Sequence, residues 1–146
     1  MASVRNCSLP QDLYYNVAGN VWARKEADGS VTVGMTAYAC ALTGEVVAFT
    51  PKKTGRAVDI NKSVGTVESG KWVGPVKAPV SGELLAVNEA VVANPKAINA
   101  DPYGAGWLVR LKPTGWQAEQ ASLVTGAAVA PAFEARMAND GFAGCP

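Results

Sequence analysis

A chain of 146 residues, of which 49% are hydrophobic, predicts one folded domain, residues 1–146, with its own core. The formal net charge of +1 excludes the basic footprint of a nucleic-acid-binding protein, and no apolar stretch is long enough to span a bilayer. Because histidine is absent, Ser-His-Asp or Cys-His catalysis and His-ligated zinc are excluded. The N-terminus lacks a secretory signal pattern, which predicts a soluble cytoplasmic protein.

Short apolar runs bounded by Gly, Pro, Asn or Asp predict a β-rich body. In chain order the predicted strands cover residues 21–22, 31–33, 45–50, 63–68, 72–73, 84–87 and 107–111. Asp28-Gly29 predicts the hairpin turn between the first two strands. Gly74 and Pro75 predict a break in the strand that begins at Trp72, before the run resumes at Val76.

Polar caps and helix formers predict short helices, mostly towards the C-terminus. Thr36 is the predicted N-cap of a helix over residues 37–43, Asn88 of one over 89–92 and Thr114 of one over 116–123. A last helix is predicted over residues 131–137, with Pro131 in its first turn. Residues 113–146 form a helical segment and tail after the β-rich part, and the final residues, 141–146, are expected to be mobile.

An internal echo links two of the predicted strands. Residues 43–49 and 81–87 both read hydroxyl, Gly, Glu, apolar, apolar, Ala, apolar. Such self-similarity predicts a fold made of two related halves, with a chance match as the alternative. Lys71 lies between the two copies, in a turn between strand candidates.

The turn that contains Lys71 is the candidate functional site. Gly70 permits backbone conformations closed to other residues, which predicts a sharp turn that projects the Lys71 amine into solvent. A modifying enzyme could reach such an amine, and acylation would turn the side chain into a long uncharged tether. If only the pentapeptide at residues 68–72 is considered, the alternative is that Lys71 is an ordinary solvated lysine in a turn.

A wider set of motifs accompanies this turn: VGTVESGK at residues 64–71, APVSGE at 78–83, VNEA at 87–90, NP at 94–95 and NADPYGAGWL at 99–108. With these motifs the chain resembles the lipoyl-carrier H protein of the glycine cleavage system, from about residue 14 to residue 112. The resemblance implies a mainly β flattened barrel or sandwich of two related half-sheets, of the biotinyl/lipoyl-carrier, hammerhead-like type. It also implies lipoate joined to Lys71 by an amide bond, and a carrier that is not itself an enzyme.

The same resemblance assigns roles around Lys71 and names partners. Glu68 and Ser69, with Gly70, would help a lipoate-attaching enzyme to recognise the turn. Trp72 packs under the arm or serves as a docking anchor, or else it is a strand residue that faces the core. Expected partners are enzymes that load and reoxidise the arm, including dihydrolipoamide dehydrogenase, and the carrier is expected to be a monomer.

Departures from the glycine cleavage pattern point to one branch of the family. Asn20-Val21-Trp22 stands where the family usually has His-Glu-Trp, and the chain ends in a segment that contains Cys145. The stretch 70–74 and the extra cysteines resemble the lipoate-binding proteins that accompany heterodisulfide-reductase-like complexes in bacterial sulfur oxidation. That branch implies sulfur as the load, with an aminomethyl load from the glycine cleavage enzymes as the alternative.

Three cysteines, Cys7, Cys40 and Cys145, are too widely spaced for a metal or CxxC redox pair, and no metal site is predicted. Their odd number disfavours a complete disulfide framework. Cys40 is either a small buried residue or a thiol that meets Cys145 or the lipoyl tip in thiol exchange. Cys7, near the start, is expected to be incidental.

Two further hypotheses compete with the lipoyl carrier. One is an unmodified scaffold that only binds partners, which the lysine in a Gly-containing turn disfavours. The other is a thiol enzyme that uses Cys40 or Cys145, which the missing histidine and the wide cysteine spacing disfavour.

Overall fold

The computed structural model describes residues 2–146 and is mainly β. Its strands are β1 (Ala2–Val4), β2 (Cys7–Leu9), β3 (Tyr14–Asn16), β4 (Val21–Lys25), β5 (Val31–Met35), β6 (Val46–Pro51), β7 (Ala57–Val58), β8 (Ser63–Ser69), β9 (Val73–Lys77), β10 (Gly82–Val87), β11 (Val109–Pro113) and β12 (Val124–Thr125). Its α-helices are α1 (Ala37–Thr43), α2 (Glu89–Ala93), α3 (Lys96–Ala100), α4 (Trp116–Glu119) and α5 (Val129–Asn139). None of these helices is long and apolar enough to cross a membrane.

Two antiparallel sheets enclose the main core. The larger sheet has the strand order β12-β3-β4-β5-β11-β10-β7, and the smaller has the order β6-β8-β9. Val33 and Leu111 of the larger sheet and Val64 and Val67 of the smaller sheet belong to one cluster of buried side chains. The prediction of a mainly β sandwich with short helices is confirmed.

The echo in the sequence corresponds to a shared irregularity of the backbone. The first copy lies in β6, whose pairing with β8 shifts register between Val46 and Ala48. The second lies in β10, whose pairing with β11 shifts between Leu84 and Ala86, the equivalent positions of the motif. Both copies therefore build the same bulged strand, one in each sheet, as expected of two related halves.

A second cluster of buried side chains lies outside the sandwich. It joins the β1–β2 hairpin, α1 and α5 through residues that include Leu9, Tyr38 and Phe133. The C-terminal tail joins the same cluster, because Cys145 forms a disulfide with Cys7 and the Phe142 ring packs on Tyr38 with centroids 4.7 Å apart. The expectation of a mobile tail was wrong, since the disulfide ties it to the first hairpin.

The strand after Lys71 is continuous through Gly74 and Pro75, contrary to prediction. It is β9, which pairs only with β8 and lies at the edge of the smaller sheet. An edge strand tolerates proline, because a missing N–H that points away from the neighbouring strand removes no ladder hydrogen bond.

Of the three predicted helix N-caps, the first is confirmed and the later two differ in detail from the prediction. Thr36 caps α1 with its side chain, which accepts a hydrogen bond from Ala39 N–H at 2.9 Å. Asn88 stands at the N-cap of α2, but its amide instead donates to the carbonyl oxygen of Trp107 at 2.7 Å. The N-cap of α4 is Gly115 and not Thr114.

Candidate functional site

The turn predicted to carry the chemistry is the loop between β8 and β9, at one end of the smaller sheet. Ser69 closes this loop, because its N–H donates to the carbonyl oxygen of Trp72 at 2.8 Å and its Oγ accepts from Lys71 N–H at 3.3 Å. Ser69 is buried, whereas Gly70, Lys71 and Trp72 are exposed. Lys71 therefore projects from a rigid hairpin base.

Gly70 does not make this turn sharp. Its φ lies outside the left-handed region, and a Cβ at this position would meet no heavy atom within 4 Å. The expected dependence of the turn on a glycine was wrong, because the hydrogen bonds of Ser69 hold the loop in shape.

The Lys71 side chain lies against the end of α1. Its Cε is 3.2 Å from the position that a Cβ on Gly44 would occupy, and Gly44 has a φ of +80°. None of the ion pairs within residues 2–146 includes Lys71. Glu68, on the neighbouring strand, is exposed as well. The Lys71 amine is thus reachable from solvent and is not held by a carboxylate.

Asn99 fixes the surface on which the Lys71 stem lies. Its amide donates to the carbonyl oxygen of Gly44 at 2.9 Å, and its Oδ1 accepts from Val46 N–H at 2.9 Å. Asn99 thereby joins the C-terminus of α1 to the start of β6. Nothing in the sequence indicated this role, although Asn99 belongs to the family motif at residues 99–108 and the predicted helix ends at residue 43, just before Gly44.

Trp72 lies on the surface rather than in the core, so the core-facing alternative was wrong. Its side chain is 42% exposed, and its ring covers Gly74, where a Cβ would approach Trp72 Cζ2 to 2.2 Å. Three further apolar residues near this end of the molecule are exposed, namely Leu42, Val47 and Val73. Together they form an apolar surface of a kind that marks protein–protein contact.

A groove of about 380 Å³ opens beside Trp72, and we call it the Trp72 groove. Its lining comes from the β3–β4 turn, α1, the smaller sheet and α5, and consists of Ala18, Gly19, Asn20, Val21, Met35, Ala39, Leu42, Thr43, Val67, Trp72, Pro75, Val76, Lys77 and Arg136. Most of these residues are apolar, so the groove can hold an apolar group delivered from the neighbouring loop.

The charged residues that line the Trp72 groove are all cations. Lys77 and Arg136 are among the lining residues, and no Asp or Glu is. Arg136 is anchored by Asp140, whose Oδ2 accepts from Arg136 Nε at 3.3 Å, and by the carbonyl oxygen of Ala18, 3.1 Å from Nη1. The groove thus combines an apolar wall with the exposed Lys77 amine and with the Arg136 guanidinium, which is paired with Asp140.

The structure pairs the cysteines differently from the sequence prediction. Cys7, expected to be incidental, forms the disulfide with Cys145, so the alternative in which Cys40 pairs with Cys145 was wrong, and the alternative of Cys40 as a small buried residue is confirmed. Cys40 is free and buried, and its Sγ donates to the carbonyl oxygen of Ile98 at 3.6 Å. Burial raises the pKa of the Cys40 thiol to about 12, which keeps it protonated and unreactive near neutral pH.

No group of three or more His, Cys, Asp or Glu side chains in residues 2–146 could hold a metal ion. The surface around Lys71 offers an accessible primary amine beside an apolar groove. Acylation of Lys71 would place the far end of the acyl chain within reach of the Trp72 groove.

Comparison with known proteins gives one consistent result. The family model described as glycine cleavage H-protein matches residues 13–135. Glycine cleavage system H protein 5 of Aquifex aeolicus is 52% identical over 128 residues, which cover 85% of this chain and 86% of that protein. Probable glycine cleavage system H protein 2 of Sulfurisphaera tokodaii is 48% identical over 130 residues, covering 88% and 87%. The crystal structure of a glycine cleavage system H protein from Mycobacterium marinum superposes with a TM-score of 0.73 at 35% identity, covering 91% of this chain and 99% of that one.

Proposed function

Because this chain belongs to the glycine cleavage H-protein family, whose cofactor is lipoate attached covalently to a lysine, we propose that Lys71 is the attachment residue. The observation that carries the proposal is the exposed Lys71 amine at the tip of the β8–β9 hairpin, free of ion pairs within residues 2–146. A lipoyl group bound there would supply a dithiol–disulfide couple at the end of a long tether. The protein itself would act as a carrier and not as a catalyst.

The residues around Lys71 support this role in separate ways. Ser69 holds the loop in shape, and Glu68 and Ser69 beside it offer a recognition surface to a lipoate-attaching enzyme. Gly44 lies beside the Lys71 stem, and the ring of the next residue, Trp72, covers Gly74. The exposed apolar residues nearby would contact the enzymes that load and unload the arm, and the Trp72 groove would shelter its tip between visits.

The names of the relatives favour the glycine cleavage enzymes as partners. The Aquifex aeolicus and Sulfurisphaera tokodaii proteins are both called glycine cleavage system H proteins, and so is the structural relative. The first candidate load is therefore the aminomethyl group released from glycine. The aminomethyl load was the alternative from the sequence alone. The names of the relatives now rank it above sulfur.

Two observations favour sulfur carried for a heterodisulfide-reductase-like complex as the second candidate. The charged residues of the Trp72 groove, Lys77 and Arg136, are cations, and they suit an anionic sulfur species better than a protonated amine. In addition, three numbered H proteins of Aquifex aeolicus are between 43% and 52% identical to this chain. Several such proteins in one organism suggest that individual copies serve different partners.

The attachment proposal predicts one lipoyl adduct, on Lys71. The full-length protein treated with lipoate, ATP and a lipoate-attaching enzyme should gain the mass of a single lipoyl group, placed on Lys71 by peptide fragmentation. Lys71→Arg should gain none, because its guanidinium cannot form the amide. Lys53→Arg, which removes an exposed loop lysine, should be modified as wild type is. An adduct elsewhere, or an unmodified Lys71 in protein from its native source, would refute the assignment.

The two candidate loads predict different adducts on the lipoylated protein. With glycine, pyridoxal phosphate and a glycine decarboxylase, an aminomethyl load should add the mass of that group to the arm and release carbon dioxide. With a sulfane sulfur donor and its transferase, a sulfur load should add one or more sulfur masses instead. Exchange of Lys77 and Arg136 for glutamine should weaken retention of sulfur and leave an aminomethyl load unaffected. If the double variant retains sulfur at the wild-type level, the cations of the Trp72 groove do not hold a sulfur load.

A further inference from the structure

Helix α1 separates two depressions, and only one of them is the Trp72 groove. Ala39, Leu42 and Thr43 of α1 line the Trp72 groove. Residues of α1 that include Ala37 and Ala41 line a second depression of about 390 Å³, which also contains the Cys7–Cys145 disulfide, Cys40 and Asn99. We call it the disulfide pocket. Its position makes α1 a ridge with a cavity on each side.

Lys71 stands at the end of this ridge, with access to the disulfide pocket as well as to the groove. Its Cε lies 3.2 Å from the Cβ position of Gly44, the residue that ends α1. Asn99 lines the disulfide pocket and donates to the carbonyl oxygen of Gly44 at 2.9 Å. The near edge of the pocket is therefore adjacent to the Lys71 stem.

The length of a lipoyl arm matches the length of α1. The seven residues of α1 rise about 1.5 Å each, which gives roughly 10 Å from Gly44 back to Ala37. At the far end, Cys145 Sγ lies 3.8 Å from the carbonyl oxygen of Ala37. From Lys71 Cε to the first sulfur of a lipoyl group there are about eight bonds, which also span roughly 10 Å when extended. An arm laid along α1 brings its sulfur atoms to the disulfide.

We propose that the Cys7–Cys145 disulfide exchanges electrons with the dithiol of the lipoyl arm on Lys71 of the same molecule. This inference rests on the proposed attachment at Lys71. Cys145 Sγ accepts the attack of one arm thiolate, the Cys7–Cys145 bond breaks, and Cys7 leaves as a thiolate that takes up a proton. The second arm thiol then closes the arm disulfide and releases Cys145. Two electrons and two protons pass from the arm to the cysteine pair.

Accessibility selects Cys145 as the sulfur that is attacked. Cys145 is half-buried and lies near the chain end, whereas Cys7 has no exposed surface. Exchange requires a thiolate to reach the disulfide from outside, so the half-buried sulfur is the accessible one. Cys40 lines the same pocket, but its buried thiol stays protonated and does not compete as a nucleophile.

Reduction would change the surface beside α1. Without the disulfide, the tail keeps four hydrogen bonds to the turn of the first hairpin. Cys145 N–H donates to the carbonyl oxygen of Arg5 at 2.9 Å, and Arg5 Nη1 donates to the carbonyl oxygen of Phe142. The Asn6 amide donates to the carbonyl oxygens of Cys145 at 3.2 Å and Pro146 at 3.5 Å, and these two hydrogen bonds are exposed to water. The attachment of the tail then depends on the redox state of the cysteine pair. The reduced pair stores two electrons between encounters with partner enzymes.

The test measures reduction of the cysteine pair within one molecule. Lipoylated full-length protein is treated with dihydrolipoamide dehydrogenase and NADH, quenched with iodoacetamide at intervals, and mapped by peptide mass spectrometry. Only molecules whose intact mass shows the lipoyl adduct are counted, so failed attachment is seen separately from failed exchange. Alkylation of Cys7 and Cys145 is expected with a first-order rate constant that does not depend on protein concentration.

The matched control is Lys71→Arg, which lacks the arm, supplied with free dihydrolipoamide at the protein concentration. A tethered group acts at an effective concentration of about 1 mM, so at 10 µM protein the control should react roughly 100-fold more slowly. Ala41→Phe, which narrows the disulfide pocket, should slow the tethered reaction at least tenfold, and Val92→Phe on exposed α2 should not. Three results would each overturn the proposal: equal rate constants with and without the tether, an apparent first-order rate constant that rises in proportion to protein concentration, or cysteines that stay oxidised.

Discussion

Two glycines leave room at the Lys71 loop, Gly44 beside the Lys71 stem and Gly74 beneath the Trp72 ring. Gly44 has a φ of +80° and lets the Lys71 stem pass 3.2 Å from its Cβ position. Gly74 accepts the Trp72 ring directly on its backbone, since a Cβ there would overlap the indole at 2.2 Å. Any side chain at Gly74 would push the indole away from the loop. The exposed amine and its aromatic neighbour are therefore placed by residues that carry no functional group.

Cys40 shows how burial decides the chemistry of a residue. Its pKa is raised from 9.0 to about 12 by desolvation in the core. Between these values an unfolded chain would lose the thiol proton while the native chain keeps it. The contribution of this group to stability is therefore complete below pH 9 and is lost as the pH rises towards 12.

The same burial predicts the reactivity of the three cysteines. At pH 8, oxidised native protein without a lipoyl group should take up no iodoacetamide, because Cys40 is protonated and buried and the other two cysteines form the disulfide. After unfolding in guanidinium without reductant, one label per chain should appear, on Cys40. The readout is intact mass before and after unfolding. Rapid labelling of Cys40 in the native protein would contradict both its burial and its inert role.

At the scale of elements, each related half uses a bulged strand for a different purpose. The bulge of β6 leaves Val47 59% exposed opposite the end of β8, next to the Lys71 loop. The bulge of β10 leaves Leu85 43% exposed on the larger sheet. The two copies thus form equivalent strands, and only β6, which begins beside the β8–β9 hairpin, contributes to the candidate site.

Helix α1 is the element that organises this site. Its N-terminus is held by Thr36, which accepts from Ala39 N–H and donates to the Asn20 side chain, and its C-terminus is held by Asn99 through Gly44. A helix of seven residues is marginal by itself, so these caps and its buried face keep it in place. Hydrogen bonds thus hold both ends of the helix that separates the two cavities.

At the scale of the whole molecule, the chain closes on itself through its two ends. The Cys7–Cys145 disulfide spans 138 residues and joins the first hairpin to the tail that follows α5. Arg5 supports the same closure with an ion pair to Glu134, with Nε and Oε2 2.8 Å apart. We propose that residues 1–146 form one cooperative unit in which this closure limits opening of the second hydrophobic cluster.

Removal of the disulfide should therefore lower stability without dividing the molecule. For a loop of this length the chain-entropy relation gives about 5 kcal/mol, so the Cys7→Ser, Cys145→Ser double variant should lose roughly that much unfolding free energy, because the unfolded chain regains the entropy that the cross-link removed. Guanidinium unfolding followed by tryptophan fluorescence and by circular dichroism should give one coincident transition for both proteins. Reduced wild-type protein serves as the control and should match the variant. Separate transitions for the two probes would contradict a single unit.

Local pattern by itself determined much of this protein. The strands at residues 31–33, 45–50, 63–68 and 84–87, the Asp28-Gly29 hairpin and the Thr36 cap follow from turn chemistry and apolar runs, which act between near neighbours. The motifs around Lys71 identified the family, because the spacing of residues in a local loop is visible in the sequence. The internal echo likewise indicated two related halves before the matching bulges were seen.

Only the tertiary structure decided which distant residues meet. The cysteine pairing was misjudged, since Cys7 and Cys145 are 138 residues apart and nothing local to either brings them together. Pro75 was taken as a strand break because its tolerance depends on an edge position in a sheet. The Trp72 groove and the disulfide pocket draw their walls from segments spread from Asn6 to Pro146. Cavities and cross-links are properties of packing between remote segments, and sequence periodicity reports only which face of each segment is buried.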